Sequence, residues 1–297
     1  MPYLRVIRIF DPWKSPLCTC PRKYSLHPYT GCSHFCLYCY ATSYIGRRPS
    51  TPKNMFLGNL RSDLKRINKN LVVEMSTSSD PYPPVEKWLL LTRKTLELLV
   101  EHKVKTLITT KGSIVVRDID LLLMTPSAVM ITITTLNNRI AKILEPGAPP
   151  PDKRVKAVEQ LAESKIPVGV RIDPLIPGIN DDFYSIKELI DHVIDAGAKH
   201  IVVSTYKARW DNLKRMIEAF PEYSEYWQKL YIIDGKRIHG YMYLDRRLRE
   251  KILKPIIDYA QSKKITIATC REGLGPEYFK APSCDGTHLI RFHPSMK

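Results

Sequence analysis

Cys32, Cys36 and Cys39 stand in the string Tyr29-Thr-Gly-Cys-Ser-His-Phe-Cys-Leu-Tyr-Cys-Tyr-Ala41, a C-x3-C-x2-C spacing with an aromatic just before the third cysteine. Three thiolates on one short loop can hold three irons of a [4Fe–4S] cube, whereas full ligation by protein takes a fourth cysteine. The remaining iron stays open, and an open iron on a reducing cluster can bind and cleave a substrate or cofactor. The competing chemistry is a structural zinc site. That usually takes four ligands from paired knuckles, and although His34 is at hand, no second knuckle is adjacent. The spacing favours the cluster.

Four cysteines are left over: Cys18 and Cys20 as C-x-C, then Cys270 and Cys284. Four thiolates close a second [4Fe–4S] cluster. Zinc in a four-cysteine site fits the same set, and so do buried free thiols acting as small apolar residues. The total of seven is odd and suits a disulfide framework poorly. In a reducing compartment, clustered thiols are more often metal ligands or catalytic groups.

The formal net charge is +16. Lys and Arg concentrate at Arg47-Arg48, Lys65-Arg66, Lys207 to Arg215, Lys236-Arg237 and Arg246-Arg247. Such a field attracts polyanions, nucleic acid foremost; a solvated surface rich in Lys, Arg and Glu is the plainer account. No apolar run approaches the roughly 20 residues of a bilayer span, and the N-terminus carries no signal-peptide pattern. The chain is expected in the cytoplasm.

These cysteines must be positioned by something, and the chain offers alternating elements. Five β-rich runs, Leu71–Met75, Lys105–Thr110, Val129–Ile133, Val168–Ile172 and His200–Ser204, are bounded by polar, Gly or Pro residues, as buried parallel strands are. Between them lie one-sided apolar patterns such as Phe183, Ile186, Leu189, Ile190, Val193 and Ile194, preceded by Asn180-Asp181-Asp182 and closed by Ala196-Gly197. With a first strand just before Cys32, this makes six βα units: an α/β fold, a partial (β/α)6 TIM-type barrel. The chain divides into an irregular N-terminal extension with the C-x-C pair (1–24), a core barrel (25–220) and a C-terminal extension that completes the barrel (221–297). The last includes a hairpin around Asp234-Gly235, a helix over Asp245–Lys263 and a strand over Ile265–Ala268. In βα barrels the active site lies at the C-terminal ends of the strands, and Cys32–Cys39 falls in the first such loop.

The cysteine loop resembles that of the radical S-adenosylmethionine (SAM) superfamily. Tyr24–Cys32, Ser76–Glu86, Thr110–Ser113, Leu144–Ala148 and Pro174–Gly178 are similar to the spore photoproduct lyase-like (DNA repair photolyase-like) branch, over roughly residues 17–205. The resemblance implies that the open iron chelates SAM, that one electron cleaves it to a 5′-deoxyadenosyl radical, and that a ferredoxin or flavodoxin supplies the electron. It implies SAM contacts from Ser76, Thr77, Ser78 and Asp80 after the second strand. Lys111 would sit at the SAM carboxylate, Thr132 or Thr134 at the ribose, Arg171 at a carboxylate and Tyr38 beside the adenine. Plainer roles exist: β-propensity for each Thr, loop solvation for Lys111, an ion pair for Arg171. Tyr40 matches a tyrosine flanking the third cluster cysteine and is a candidate hydrogen-atom relay, with packing as the alternative.

One departure limits the resemblance. In spore photoproduct lyases proper, a cysteine after the second strand returns a hydrogen atom to the product radical. Here Thr77 or a neighbouring Ser takes that place, and an O–H bond is too strong to donate, so splitting of spore photoproduct does not carry over. The expected function is a radical SAM enzyme acting on nucleic acid, in repair or base modification, with the aromatics of residues 206–243 stacking on bases. The alternatives are modification of a peptide or protein side chain, and a nucleic-acid-binding Fe–S protein without catalysis.

Overall fold

The computed structural model describes residues 4–10, 17–75 and 78–290. Among them one sheet holds nine strands in chain order. These are Ile7–Ile9 (β1), Tyr24–Leu26 (β2), Val73–Met75 (β3), Thr106–Thr110 (β4), Ser127–Thr132 (β5), Val168–Leu175 (β6), His200–Thr205 (β7), Thr266–Thr269 (β8) and Phe279–Lys280 (β9). Strands β2 to β8 run parallel, and β1 and β9 add antiparallel edges. This is the expected α/β fold with a mostly parallel sheet forming a partial barrel.

Period-2 alternation decides which face each strand residue serves. Val73, Met75, Ile108, Val129, Ile131, Val170, Ile172, Ile201, Val203 and Ile267 pack outward against helices such as Leu91–Glu101, Pro151–Glu163, Phe183–Asp195 and Arg246–Ser262. The helix over Phe183–Asp195 starts where its Asp182 carboxylate accepts from the Ser185 N–H at 2.8 Å. It buries Ile186, Leu189, Ile190 and Val193, each contributing about 1.5–3 kcal/mol. The intervening residues form a second, inner apolar cluster: Val72, Leu107, Ala128, Met130 and Val202, with Leu289 from the chain's C-terminal segment. The tail therefore plugs the barrel interior. Gly286 is required there: its φ is +86°, and a Cβ would stand 2.4 Å from the Met130 sulfur. One step further along the same inward faces come Glu74, Thr109, Thr132, Arg171 and Cys270, so apolar filling gives way to a polar layer.

Three expectations are corrected. The N-terminal extension is not wholly irregular, since β1 pairs with β2. The hairpin turns at His239-Gly240, not at Asp234-Gly235: its strands are Lys236–Ile238 and Tyr241–Tyr243. Both turn residues have positive φ, +47° and +77°, as a two-residue primed turn demands. The aromatics of residues 206–243 are largely core, because Tyr206, Trp227, Tyr231, Tyr241 and Tyr243 are buried; Trp210 and Tyr226 are the exposed ones. Among the described residues no helix is long and apolar enough to cross a membrane.

The first edge strand is tied to the helix Phe56–Leu64 by one carboxylate. Asp63 accepts from the backbone N–H groups of Arg5, Val6 and Ile7 at 2.7–2.9 Å. Asp63→Ala should cost about 3 kcal/mol in urea unfolding by stranding these donors, with loss of amide-exchange protection at Val6 and Ile7. An unchanged midpoint and unchanged protection would contradict the assignment.

Candidate active site

The cysteine loop lacks regular structure, so its shape is imposed by neighbours. Gly31 enters at φ +73°, where a Cβ would meet the Pro49 carbonyl at 2.2 Å. Cys32 N–H donates to the Arg48 carbonyl at 2.9 Å, and Ser33 and Ser50 exchange side-chain-to-backbone bonds at 2.9 and 2.8 Å. On the other side, Leu37 N–H donates to the Leu144 carbonyl at 2.8 Å and Gly147 N–H to that of His34 at 3.0 Å. Gly147 must be glycine, since a Cβ would lie 1.9 Å from the Ser33 carbonyl oxygen. Three further carbonyls accept from the helix Trp210–Ala219: Asn212 donates to Tyr38 O at 2.9 Å, and Arg215 to Leu37 O and Cys39 O at 3.2 Å each. With the backbone occupied, the side chains of Cys32, Cys36 and Cys39 line one cavity of about 1270 Å³ including its open mouth. All three cysteines are free.

The structure brings most of the predicted residues to this cavity. Tyr38, Tyr40, Ser78, Asp80, Lys111 and Thr132 line it at or after the C-terminal ends of β2 to β5, and Arg171 lines it from the middle of β6. Ser76 and Thr77 lie outside the described residues. Thr134 is buried and does not line the cavity.

Several of these groups already have protein partners. Asp80, expected to contact SAM, accepts from Thr110 Oγ1 at 2.6 Å, Lys111 N–H at 2.8 Å and Tyr82 N–H at 2.9 Å, and pairs with His34 Nδ1 at 3.3 Å. Burial would raise its pKa, but His34, Thr110 and the Lys111 amide prevail and hold it at about 2. Asp80 thus ties the cysteine loop to the end of β4. Arg171 pairs with Asp173 at 2.6 Å. Burial and the nearby Asp80 push the Cys32 thiol up to about 11, and burial raises Cys36 further. Such thiols are inert unless a metal displaces the proton. Tyr40 packs edge-on to Tyr241 at 5.3 Å, with the Arg271 guanidinium 5.4 Å from its ring centre.

The residue missed from sequence is Glu145. It is fully buried, and three expected SAM contacts converge on it. Tyr38 Oη donates to it, Thr134 Oγ1 donates at 3.1 Å, and Lys111 Nζ stands 3.9 Å away. Buried Arg154 supplies its main counter-charge at 2.5 Å. Burial works against the Glu145 charge, and Arg154 and Lys111 hold its pKa below the ordinary carboxylate value. The signal available in sequence was Glu145 itself, inside Leu144–Ala148; its partners were not readable because they come from three other loops and from the helix Pro151–Glu163. Among the described residues no three His, Cys, Asp or Glu side chains are arranged to hold a single metal ion. The donor set of the loop, three free thiols around a common space, suits a polynuclear cluster instead.

Residues 26–190 match the model of the radical SAM superfamily. That is more than half of the chain, and the chain belongs to this family. It is 33% identical over 171 residues to an uncharacterized protein of Methanocaldococcus jannaschii, covering 56% of this chain and 65% of that one. It is 28% identical over 200 residues to a radical SAM Nalpha-GlyT isomerase of Pseudomonas phage M6, covering 64% and 41%. The chain spans less than two thirds of the length of either relative. Among solved structures, spore photoproduct lyase with bound AdoMet and dinucleoside spore photoproduct superposes with a TM-score of 0.64 at 15% identity, over 91% of this chain and 81% of that one. The fold is shared.

Glu145→Gln leaves Arg154 buried without its counter-charge, which should cost about 3–5 kcal/mol. The check is urea unfolding monitored by circular dichroism; a loss under about 1 kcal/mol would remove Glu145 from its organising position.

Proposed function

We propose that this radical SAM enzyme holds one [4Fe–4S] cluster on Cys32, Cys36 and Cys39, binds SAM at the open iron, and acts on nucleic acid. The observation that carries the reading is the cavity itself, where three free thiols of one loop share a space with hydroxyl, ammonium and guanidinium groups from successive strand ends. When bound, the cluster and SAM together supply a one-electron reductive cleavage that permits hydrogen-atom abstraction from a substrate.

The chain's own groups do the positioning. Ser78 and Thr132 offer hydroxyls to the methionine amine and the ribose, and Lys111 offers its ammonium to the carboxylate. Burial opposes the Lys111 charge, but Cys36 and Glu145 hold its pKa above the ordinary value, so it stays a cation. Tyr38 is fixed through its hydroxyl to Glu145 and presents its ring beneath Lys111, 5.5 Å from the ammonium; in this reading it flanks the adenine. The Arg171–Asp173 pair keeps a cation on the cavity wall that a substrate carboxylate or phosphate can share. A ferredoxin or flavodoxin is the electron source in this reading.

Nucleic acid as substrate is supported by the net charge of +16 and by exposed Trp210, with the Arg237 guanidinium 5.3 Å from its ring centre, a pairing suited to base stacking. The dinucleoside in the spore photoproduct lyase structure is consistent with it. The reaction is repair or base modification.

Two experiments test the reading. Cys36→Ala should abolish 5′-deoxyadenosine formation from SAM by reduced, anaerobically reconstituted protein; retained formation would reject the cluster assignment. Binding to single-stranded nucleic acid or tRNA should weaken at least about tenfold between 50 and 200 mM salt. Trp210→Ala should cost a further 1–3 kcal/mol, about 5- to 150-fold. No binding at low salt would exclude a nucleic-acid substrate.

A further inference from the structure

The first cysteine loop does not account for the other four cysteines, and the fold draws those four together from opposite ends of the chain. Cys20 Sγ lies 3.4 Å from Cys284 Sγ, although 264 positions separate them. This is contact without a bond, since a disulfide would bring the sulfurs to about 2.05 Å, and all four thiols are free. The Cys20 N–H donates to Cys18 Sγ at 3.5 Å. Cys270, the first residue after β8, lies within electrostatic range of Cys18, Cys20 and Cys284. Cys18, Cys20 and Cys270 line the same cavity as Cys32, Cys36 and Cys39.

We propose that Cys18, Cys20, Cys270 and Cys284 form a second metal centre, a [4Fe–4S] cluster ligated by all four thiolates, in the wall of the cavity that receives the first. Zinc takes four donors at about 2.3 Å from one point, and no three such side chains among the described residues close on a point in that way. A cube gives each cysteine its own iron, so Cys20 and Cys284, in contact at 3.4 Å, part to take separate irons. Charged pairs line the thiols, Lys23 with Glu74 and Asp285 and Arg171 with Asp173, and put a donor beside two of the four sulfurs. Lys23, fully buried, acts on Cys20, and Arg171 hydrogen-bonds to Cys270. Four protein ligands leave no open iron, so this centre does not bind SAM. It clasps the residues before β2 to those after β8, beside the buried Lys23–Asp285 ion pair that joins the same two segments.

The test is metal and sulfide analysis of the full chain after anaerobic reconstitution, with Mössbauer spectroscopy. Wild-type protein should hold about eight irons and eight sulfides, and the triple variant Cys32→Ala, Cys36→Ala, Cys39→Ala should retain about four of each as a [4Fe–4S] signal. Wild-type protein with about four irons, all lost in the triple variant, would overturn the second centre while leaving the first intact. Zinc at one per chain, or a Cys20–Cys284 disulfide found by mass spectrometry of protein purified without oxygen, would also overturn it. Should the triple variant fail to fold, the wild-type iron count decides alone. Failure to cleave SAM at eight irons would instead count against the proposed function.

Discussion

A loop that must offer three sulfurs to a common space cannot hold itself in shape, because its own backbone forms no helix or strand. The rest of the site follows from that constraint. Beyond two turn bonds of its own, Phe35 N–H to Cys32 O and Cys39 N–H to Cys36 O, the loop's backbone bonds go to the Arg47–Ser50 segment, to Thr42, to Leu144 and Gly147, and to Asn212 and Arg215. Two buried carboxylates then lock the loop's side chains to the strands. Asp80 binds His34 and the start of the segment after β4, and Glu145 binds Tyr38 and, through Arg154, the end of β5, whose Thr132 carbonyl accepts from that guanidinium at 3.1 Å. Removing one member of such a buried set strands its partners, so the set is rigid as a unit.

The barrel supports this by changing character along its inward faces. Near the tail it is apolar and plugged by Leu289 against Met130 and Val202. One residue pair further on, the same alternation presents Glu74, Thr109, Thr132 and Arg171. A charge facing the interior is tolerated only with a partner, and each has one: Glu74 with Lys23 at 2.6 Å, Arg171 with Asp173 at 2.6 Å, Lys207 with Glu272 at 2.8 Å. The ion pairs give the cavity fixed charges of both signs and leave hydroxyls and thiols facing its space.

What was legible in the sequence is what local rules control. The cysteine spacing, the five central strands and the helix opened by Asp182 are set within a few residues, and each stands where its pattern implied. Tyr38, Lys111, Thr132 and Arg171 reached the cavity because strand ends converge in any such barrel. What was not legible depends on contacts across long stretches of chain. Glu145 meets a tyrosine 107 positions away, and Lys23 meets an aspartate 262 positions away. The aromatics of residues 206–243 read as a stacking surface because composition does not distinguish an exposed ring from one such as Trp227, whose indole N–H donates to the Pro177 carbonyl at 2.9 Å inside the core. The hairpin was misplaced because Asp-Gly is the commoner primed turn, and His239-Gly240 adopts the same backbone signs.

The central claim is that hydrogen-atom abstraction in this cavity is directed at nucleic acid. The direct measurement supplies the reduced protein and SAM with nucleic-acid and protein fractions from cells grown in deuterated medium, and follows deuterium by mass spectrometry. The account predicts deuterium in 5′-deoxyadenosine or recovered SAM with the nucleic-acid fraction. Deuterium transfer from the protein fraction alone would contradict it.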